Sequence, residues 1–210
     1  ANQYNKKPLK DAVDIMTLAK KAGYETYWIS TQGQSSISDA GITVIARQSD
    51  HQIWLKGPDE DILQSLAQIP AGKKNFIVFH LMGSHFRYDH RVPQAYVEKQ
   101  HWADVDKREK ALWYFRSLHY TDFVLKNIFE AAQSLPLQAM VYVSDHGEDM
   151  ELTHTASPFK YDMVRIPLWI YLSPSYQQAY PQVRQQLRAH ENAIFTNDLL
   201  FDTLSGILRA

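Results

Sequence analysis

Five short runs rich in β-branched and aromatic residues limit most strongly what this chain can form: ETYWIS (25–30), ITVIA (42–46), NFIVFHLM (75–82), QAMVYVS (138–144) and IPLWIYLS (166–173). Several are apolar at consecutive positions instead of alternating, the pattern of strands covered on both faces. Helical candidates separate them. Pro8 to Ala22 places Leu9, Ala12, Ile15, Leu18 and Ala19 on one side and stops at Gly23; Asp59 to Ile69, Lys107 to Ser134 and Ser175 to Glu191 follow. Thr196 is the expected N-cap of a last helix through Leu199, Leu200, Leu204 and Leu208. Strands alternating with helices predict an α/β fold, a largely parallel sheet flanked by helices. No internal repeat or low-complexity linker divides the sequence, so one domain is expected over residues 1–210.

In such sheets ligands gather beyond the carboxyl ends of the strands. Two runs end there in polar clusters: QAMVYVS continues as DHGEDMELTH, and NFIVFHLM as GSHFRYDHR. Asp145 and His146 would point to opposite faces of a regular strand, but a turn at Gly147 can bring both onto one ion. A carboxylate oxygen and an imidazole nitrogen suit zinc or a similar divalent cation, and His154, eight residues on, is placed to swing back to them. The competing reading is an N-cap aspartate beside a surface histidine. In the other cluster Gly83 lets backbone approach a ligand and Arg91 is suited to phosphate. His85 is a proton donor or second-metal ligand, whereas His80 reads as a core histidine and His90 as a solvated one.

Composition removes other classes. With 22 Lys and Arg against 23 Asp and Glu, nothing in the overall charge points to nucleic acid or an anionic membrane surface. The absence of Cys excludes disulfides, thiolate ligands and a Cys nucleophile. No apolar run approaches the ~20 residues of a spanning helix. Glycine-rich phosphate loops, a dinucleotide fingerprint and a G-x-S-x-G elbow are also missing. Trp113, Tyr114, Leu118 and Tyr120 read as a helix packing on the sheet, and His101, His119 and His190 as ordinary helix or loop residues.

HLMGSH at 80–85, with Tyr88, Arg91 and Pro93 behind it, resembles the HLMGSHxPxYxxRYP-like segment of bacterial phosphoethanolamine transferases. SDHGE at 144–148 resembles the metal motif of the sulfatase-like branch of the alkaline phosphatase superfamily. KKAGYETYWISTQ (20–32), HYTDFVL (119–125), RIPLWIYLS (165–173) and NDLLFDTLSGIL (197–208) extend the likeness in order along the chain. The resemblance implies an alkaline phosphatase/sulfatase-like fold in which Asp145 and His146 bind catalytic zinc. His85, His154, Arg91 and Tyr88 would then serve the substrate phosphate or a second metal.

It also implies the reaction. A metal-activated Thr takes phosphoethanolamine from phosphatidylethanolamine and passes it to a lipid A, core-sugar or other envelope glycolipid acceptor. The expected location is the periplasmic domain of a bacterial inner-membrane protein, anchored by a segment outside this chain and without nucleic-acid partners. Arg87 departs from the pattern, which favours Pro there, and the segment between Glu148 and His154 is shorter than the family's. Before KKAGY stand 19 residues with a single Thr, Thr17, in a helix-like stretch. The expectation is therefore the C-terminal part of a catalytic domain without its first strand, its nucleophile or activity of its own. The alternatives are a sulfatase or phosphodiesterase of the same superfamily and a non-catalytic envelope-binding relative.

Overall fold

The computed structural model describes residues 13–34, 40–151 and 158–209. β1 (Glu25–Ser30) is the middle strand of a parallel three-stranded sheet, with β2 (His51–Trp54) and β3 (Asn75–His80) on its two sides. Tyr27 stands opposite His51 in β2 and Ile77 in β3. Every β1 residue after Glu25 is buried, which accounts for the absence of apolar–polar alternation along it. β4 (Ala139–Val143) and β5 (Leu168–Leu172) form a second, antiparallel pair. The parallel expectation thus holds for β1–β3 and not for β5. In the described part of its connection β5 is preceded by a short 3-10 turn, Tyr161–Met163, and an antiparallel return needs no crossover helix.

Helices cover both faces. α3 (Ile62–Leu66), α4 (Gln94–Lys99) and the long α5 (Lys110–Ala132) form one layer, where Tyr120, Val124 and Ile128 pack with Tyr27, Ile29 and Ile62. α1 (Ile15–Lys21) and α2 (Ala40–Ala46) form the opposite layer, with Met16 and Ala46 packed with Trp28. α6 (Pro174–Ala179), α7 (Pro181–Ala189) and α8 (Leu200–Leu208) pack on the β4–β5 pair around Leu172, Tyr176, Val183 and Ile207. The Tyr24 hydroxyl donates to the Leu208 carbonyl at 3.1 Å and joins the two groups of helices on this side.

Local chemistry explains most boundaries. Asp14 caps α1, its carboxylate accepting from the Thr17 amide (2.9 Å) and hydroxyl (2.7 Å), and Gly23 follows the helix at φ +83°. The expected start of this helix at Pro8 lies outside the described residues. ITVIA is helical in α2, not a strand. Its β-branched residues favour a strand locally, but packing of Ala46 with Met16 and Trp28 overrides that preference. HQIW is instead the strand the sequence reading missed. The expected Ser175–Glu191 helix is two helices, broken at Tyr180–Pro181 because proline lacks the amide a continuous helix needs. Thr196 precedes a 3-10 turn, Asn197–Leu199, without a side-chain cap bond.

One polar contact ties β1 to the turn entering β2. The Thr26 amide and hydroxyl both donate to Asp50 Oδ2 (3.0 and 2.7 Å), and the Asp50 amide donates back to the Thr26 hydroxyl at 2.9 Å. Burial opposes ionisation of Asp50, but these bonds and the Lys20 ammonium outweigh it and hold its pKa below the ordinary value. Its contribution to stability is therefore complete above the unfolded-state pKa, about 3.9, and is lost as pH falls through the lower folded-state value. Thr26→Val should destabilise by about 1–2 kcal/mol at pH 7. Urea unfolding at pH 7 and pH 3 should show that difference narrowing at the acidic value.

Candidate metal centre

The loop after β3 is shaped by a carboxylate distant in sequence. Asp59 is buried in the 3-10 turn Asp59–Asp61. It accepts from the amides of Met82 (2.9 Å) and Gly83 (2.8 Å) and from the Thr31 hydroxyl. Gln32 Nε2 donates to the Leu81 carbonyl at 2.6 Å. Gly83, at φ +58°, lies in the left-handed region that its lack of a Cβ permits. The chain turns there, and Ser84 and His85 line a cavity of about 1460 Å³. Sequence reading passed over Asp59 as the start of a helix, since nothing local marks partners more than twenty residues away.

The loop after β4 faces the same cavity with Ser144, Asp145, His146 and Glu148. Asp145 Oδ2 lies 3.6 Å from His146 Nε2. Two donors each ~2.1 Å from a tetrahedral ion stand about 3.4 Å apart, so this pair fits one cation with a small adjustment. His146 Nδ1 is 2.9 Å from the Gly147 carbonyl; donation there leaves the lone pair of the neutral ring on Nε2, the nitrogen nearest Asp145. Asn197 Nδ2 donates to the Asp145 carbonyl at 2.9 Å, a contact no local sequence signal marks. Among the described residues no group of three or more His, Asp or Glu side chains is arranged to hold a metal.

Gly147 is required for a reason other than the expected freedom of its dihedrals. Its amide donates to the Met163 carbonyl at 2.8 Å, and a Cβ would overlap the Asp162 carbonyl oxygen and stand 3.1 Å from that of Arg165. The backbones of the loop after β4 and of the turn before β5 therefore touch directly.

Both loops meet at the amino-terminal end of α5. Lys110 Nζ donates to the Met150 carbonyl at 3.0 Å, and Tyr114 packs edge-on against Tyr88 at 5.0 Å. The carboxyl ends of β3 and β4 thus share one end of the molecule. Of the residues the sequence singled out, His85, Asp145 and His146 line the cavity. Tyr88 is buried against Tyr114 and does not line the cavity; burial and the facing Glu148 carboxylate push its pKa far above the ordinary value, so the phenol stays protonated. Burial lowers the pKa of Arg91, whose Nη2 donates to the Phe86 carbonyl at 3.3 Å. His80 bonds to Ser30 Oγ through Nδ1 at 3.0 Å, and Arg87 turns towards Asp89 and His90. His154 lies outside the described residues.

A family model described as Sulfatase matches residues 1–207. The chain belongs to the sulfatase family. Within it, the chain is 28% identical over 208 residues to YhbX of Escherichia coli K12, covering 93% of this chain and 36% of YhbX. Phosphoethanolamine transferase EptC of the same strain is 27% identical over 211 residues, 87% of this chain and 36% of EptC. Phosphoethanolamine transferase OpgE is 32% identical over 149 residues, 64% of this chain and 27% of OpgE. The sulfatase-family chain thus spans about a third of the length of these relatives. The crystal structure of the C-terminal periplasmic domain of E. coli EptC in complex with Zn superposes with a TM-score of 0.61 at 24% identity, covering 80% of this chain and 54% of that one. That likeness establishes the sulfatase-like α/β fold.

Asp59→Ala should unpin the 80–85 loop and cost about 1–3 kcal/mol, because two partly buried amides and a hydroxyl lose their acceptor. Chemical denaturation and faster amide exchange at Met82 and Gly83 would report it. Gly147→Ala should part the 144–148 loop from the 161–165 turn and destabilise the protein by about 1–3 kcal/mol, as urea unfolding would show.

Proposed function

We propose that this chain is part of a single catalytic domain, in the periplasm of a bacterial inner-membrane protein, that performs metal-dependent phosphoryl transfer. The substrate we favour is phosphatidylethanolamine, whose phosphoethanolamine group passes to an envelope glycolipid such as lipid A or a core sugar. One observation carries the reading: Asp145 and His146, at the carboxyl end of β4, present donors 3.6 Å apart to the cavity that His85 and the loop after β3 also line. The names of EptC and OpgE support the reaction class, and the zinc complex of the EptC domain supports zinc.

In this reading Asp145 and His146 hold the cation, with Gly147 and Asn197 fixing the backbone that carries them. A bound divalent ion supplies a lowered pKa for an attacking hydroxyl and neutralises charge on the phosphoryl oxygens. Glu148 adds negative potential favouring a cation, while the protonated Tyr88 and Tyr114 beside it add no competing charge. His85 contacts the phosphate or donates a proton to it. His154 is proposed as a further ligand from its place in the motif. Arg91 and Tyr88 support the 83–91 loop from behind.

Zinc titration of the wild type, Asp145→Ala and His146→Ala should show binding weakened at least a hundredfold in each variant. The complete gene product should release diacylglycerol from phosphatidylethanolamine, and the same substitutions should lower that rate by at least ~10²-fold. Aryl sulfate hydrolysis without diacylglycerol release would instead identify a sulfatase. A cellular effect untouched by both substitutions would identify a non-catalytic binding protein.

A further inference from the structure

A second pocket, of about 280 Å³, lies where the 86–89 loop meets the approach to α5. Arg87, Lys107, Arg108 and Lys110 line it with Phe86 and Trp113, and among the described residues Asp89 is the one acid in its wall. Two of the four cations are neutralised locally. Arg87 Nε and Nη2 each lie 3.3 Å from an Asp89 carboxylate oxygen, and Arg108 grips Asp106 through the same two nitrogens. Lys110 donates to an uncharged acceptor, the Met150 carbonyl, and rests over the Phe86 ring at 6.0 Å. Lys107 has no ion-pair partner among the described residues. Burial opposes ionisation of Asp89, but Arg87, His90 and Lys107 outweigh it and hold its pKa below the ordinary value, a mark of positive potential.

A fifth cation stands beside the wall. Arg116 is only 4% exposed, its guanidinium 4.9 Å from the Trp113 ring and 5.1 Å from that of Trp102. Nη2 donates to the Ala103 carbonyl at 2.8 Å and so fixes the segment leading to Lys107. Nη1 has no acceptor, and no carboxylate pairs with this guanidinium among the described residues. A buried charge without a counter-ion is costly to keep and raises the potential around it. Arg87 itself has φ +64°, a value closed to proline, whose ring fixes φ near about −65°. Where the transferase pattern favours Pro, this chain thus has a loop conformation that proline cannot take and a cation in the pocket wall.

We propose that this pocket binds a phosphate monoester carried on a sugar, and that it is an anchoring subsite for the acceptor. The charges select the ligand. A phosphate monoester carries about −1.5 to −2 at pH 7, matching the two uncommitted lysines, whereas a phosphodiester headgroup carries roughly −1. The volume suits one phosphate and one sugar ring, to which the half-exposed Phe86 offers an apolar face. The pocket adjoins the larger cavity through the chain: Phe86 follows His85, and Lys110 bonds the carbonyl of Met150 in the segment after His146. The role in acceptor binding rests on the proposed function; the affinity for a sugar phosphate does not.

The complete gene product, kept free of metal by a chelator, should bind glucose 1-phosphate with a Kd on the order of 1 mM in equilibrium dialysis, more weakly as salt is raised. Arg87→Gly, which keeps the left-handed backbone available, and Lys107→Gln should each weaken binding about threefold and together about tenfold. Melting temperatures should stay within about 2 °C of the wild type. Binding unchanged in the double variant, or glucose bound as tightly as its phosphate, would overturn the proposal. Inorganic phosphate bound as tightly would reduce the pocket to a free-anion site, and tighter binding of dihexanoyl phosphatidylglycerol would make it a phospholipid headgroup site; either overturns the sugar phosphate assignment. Because no metal is present, failure here is distinct from failure of the zinc titration.

Discussion

The carboxylate of Asp59 is the interaction on which the site depends. It draws together the residue following β1, the turn leading to α3 and the backbone after β3, three segments that no local preference would bring into register. Amides turned away from solvent need acceptors, and the Asp59 carboxyl group at 2.8–2.9 Å satisfies two partly buried ones while fixing where the chain turns at Gly83. The position of His85 relative to Asp145 and His146 follows from that turn.

The second constraint is steric. Gly147 brings the backbone of the loop after β4 against the carbonyls of Asp162 and Arg165, a contact closed to any residue with a Cβ. Asp145 and His146 are thereby held by backbone packing from two sides, with Asn197 bonded to the Asp145 carbonyl. A two-residue motif becomes a directed pair because its neighbours leave the chain little freedom. Preorganisation of this kind reduces the cost of gathering ligands around an ion.

Much of this was legible in the residues. The consecutively apolar runs identified β1, β3, β4 and β5, and the long α5 helix stood out by its pattern. The two polar clusters pointed to the end of the sheet where His85, Asp145 and His146 line one cavity. Local preference misled at ITVIA, where β-branched residues form a helix because Ala46 fits beside Met16 and Trp28. It also passed over HQIW, a strand of half-exposed and exposed residues with no apolar run to announce it.

The sequence by itself determined the class of fold, the family and the donor types at the sheet's carboxyl edge, since these reside in hydrophobic pattern and side-chain chemistry. Tertiary structure decided which donors meet. Asp59 and Asn197 act across 23 to 52 residues of chain, a separation at which no short-range pattern carries information. It also decided that Tyr88 is buried outside the cavity lining and that β3 and β4 stand in separate sheets. Whether an apolar edge is paired depends on what packs beside it, not on its own residues.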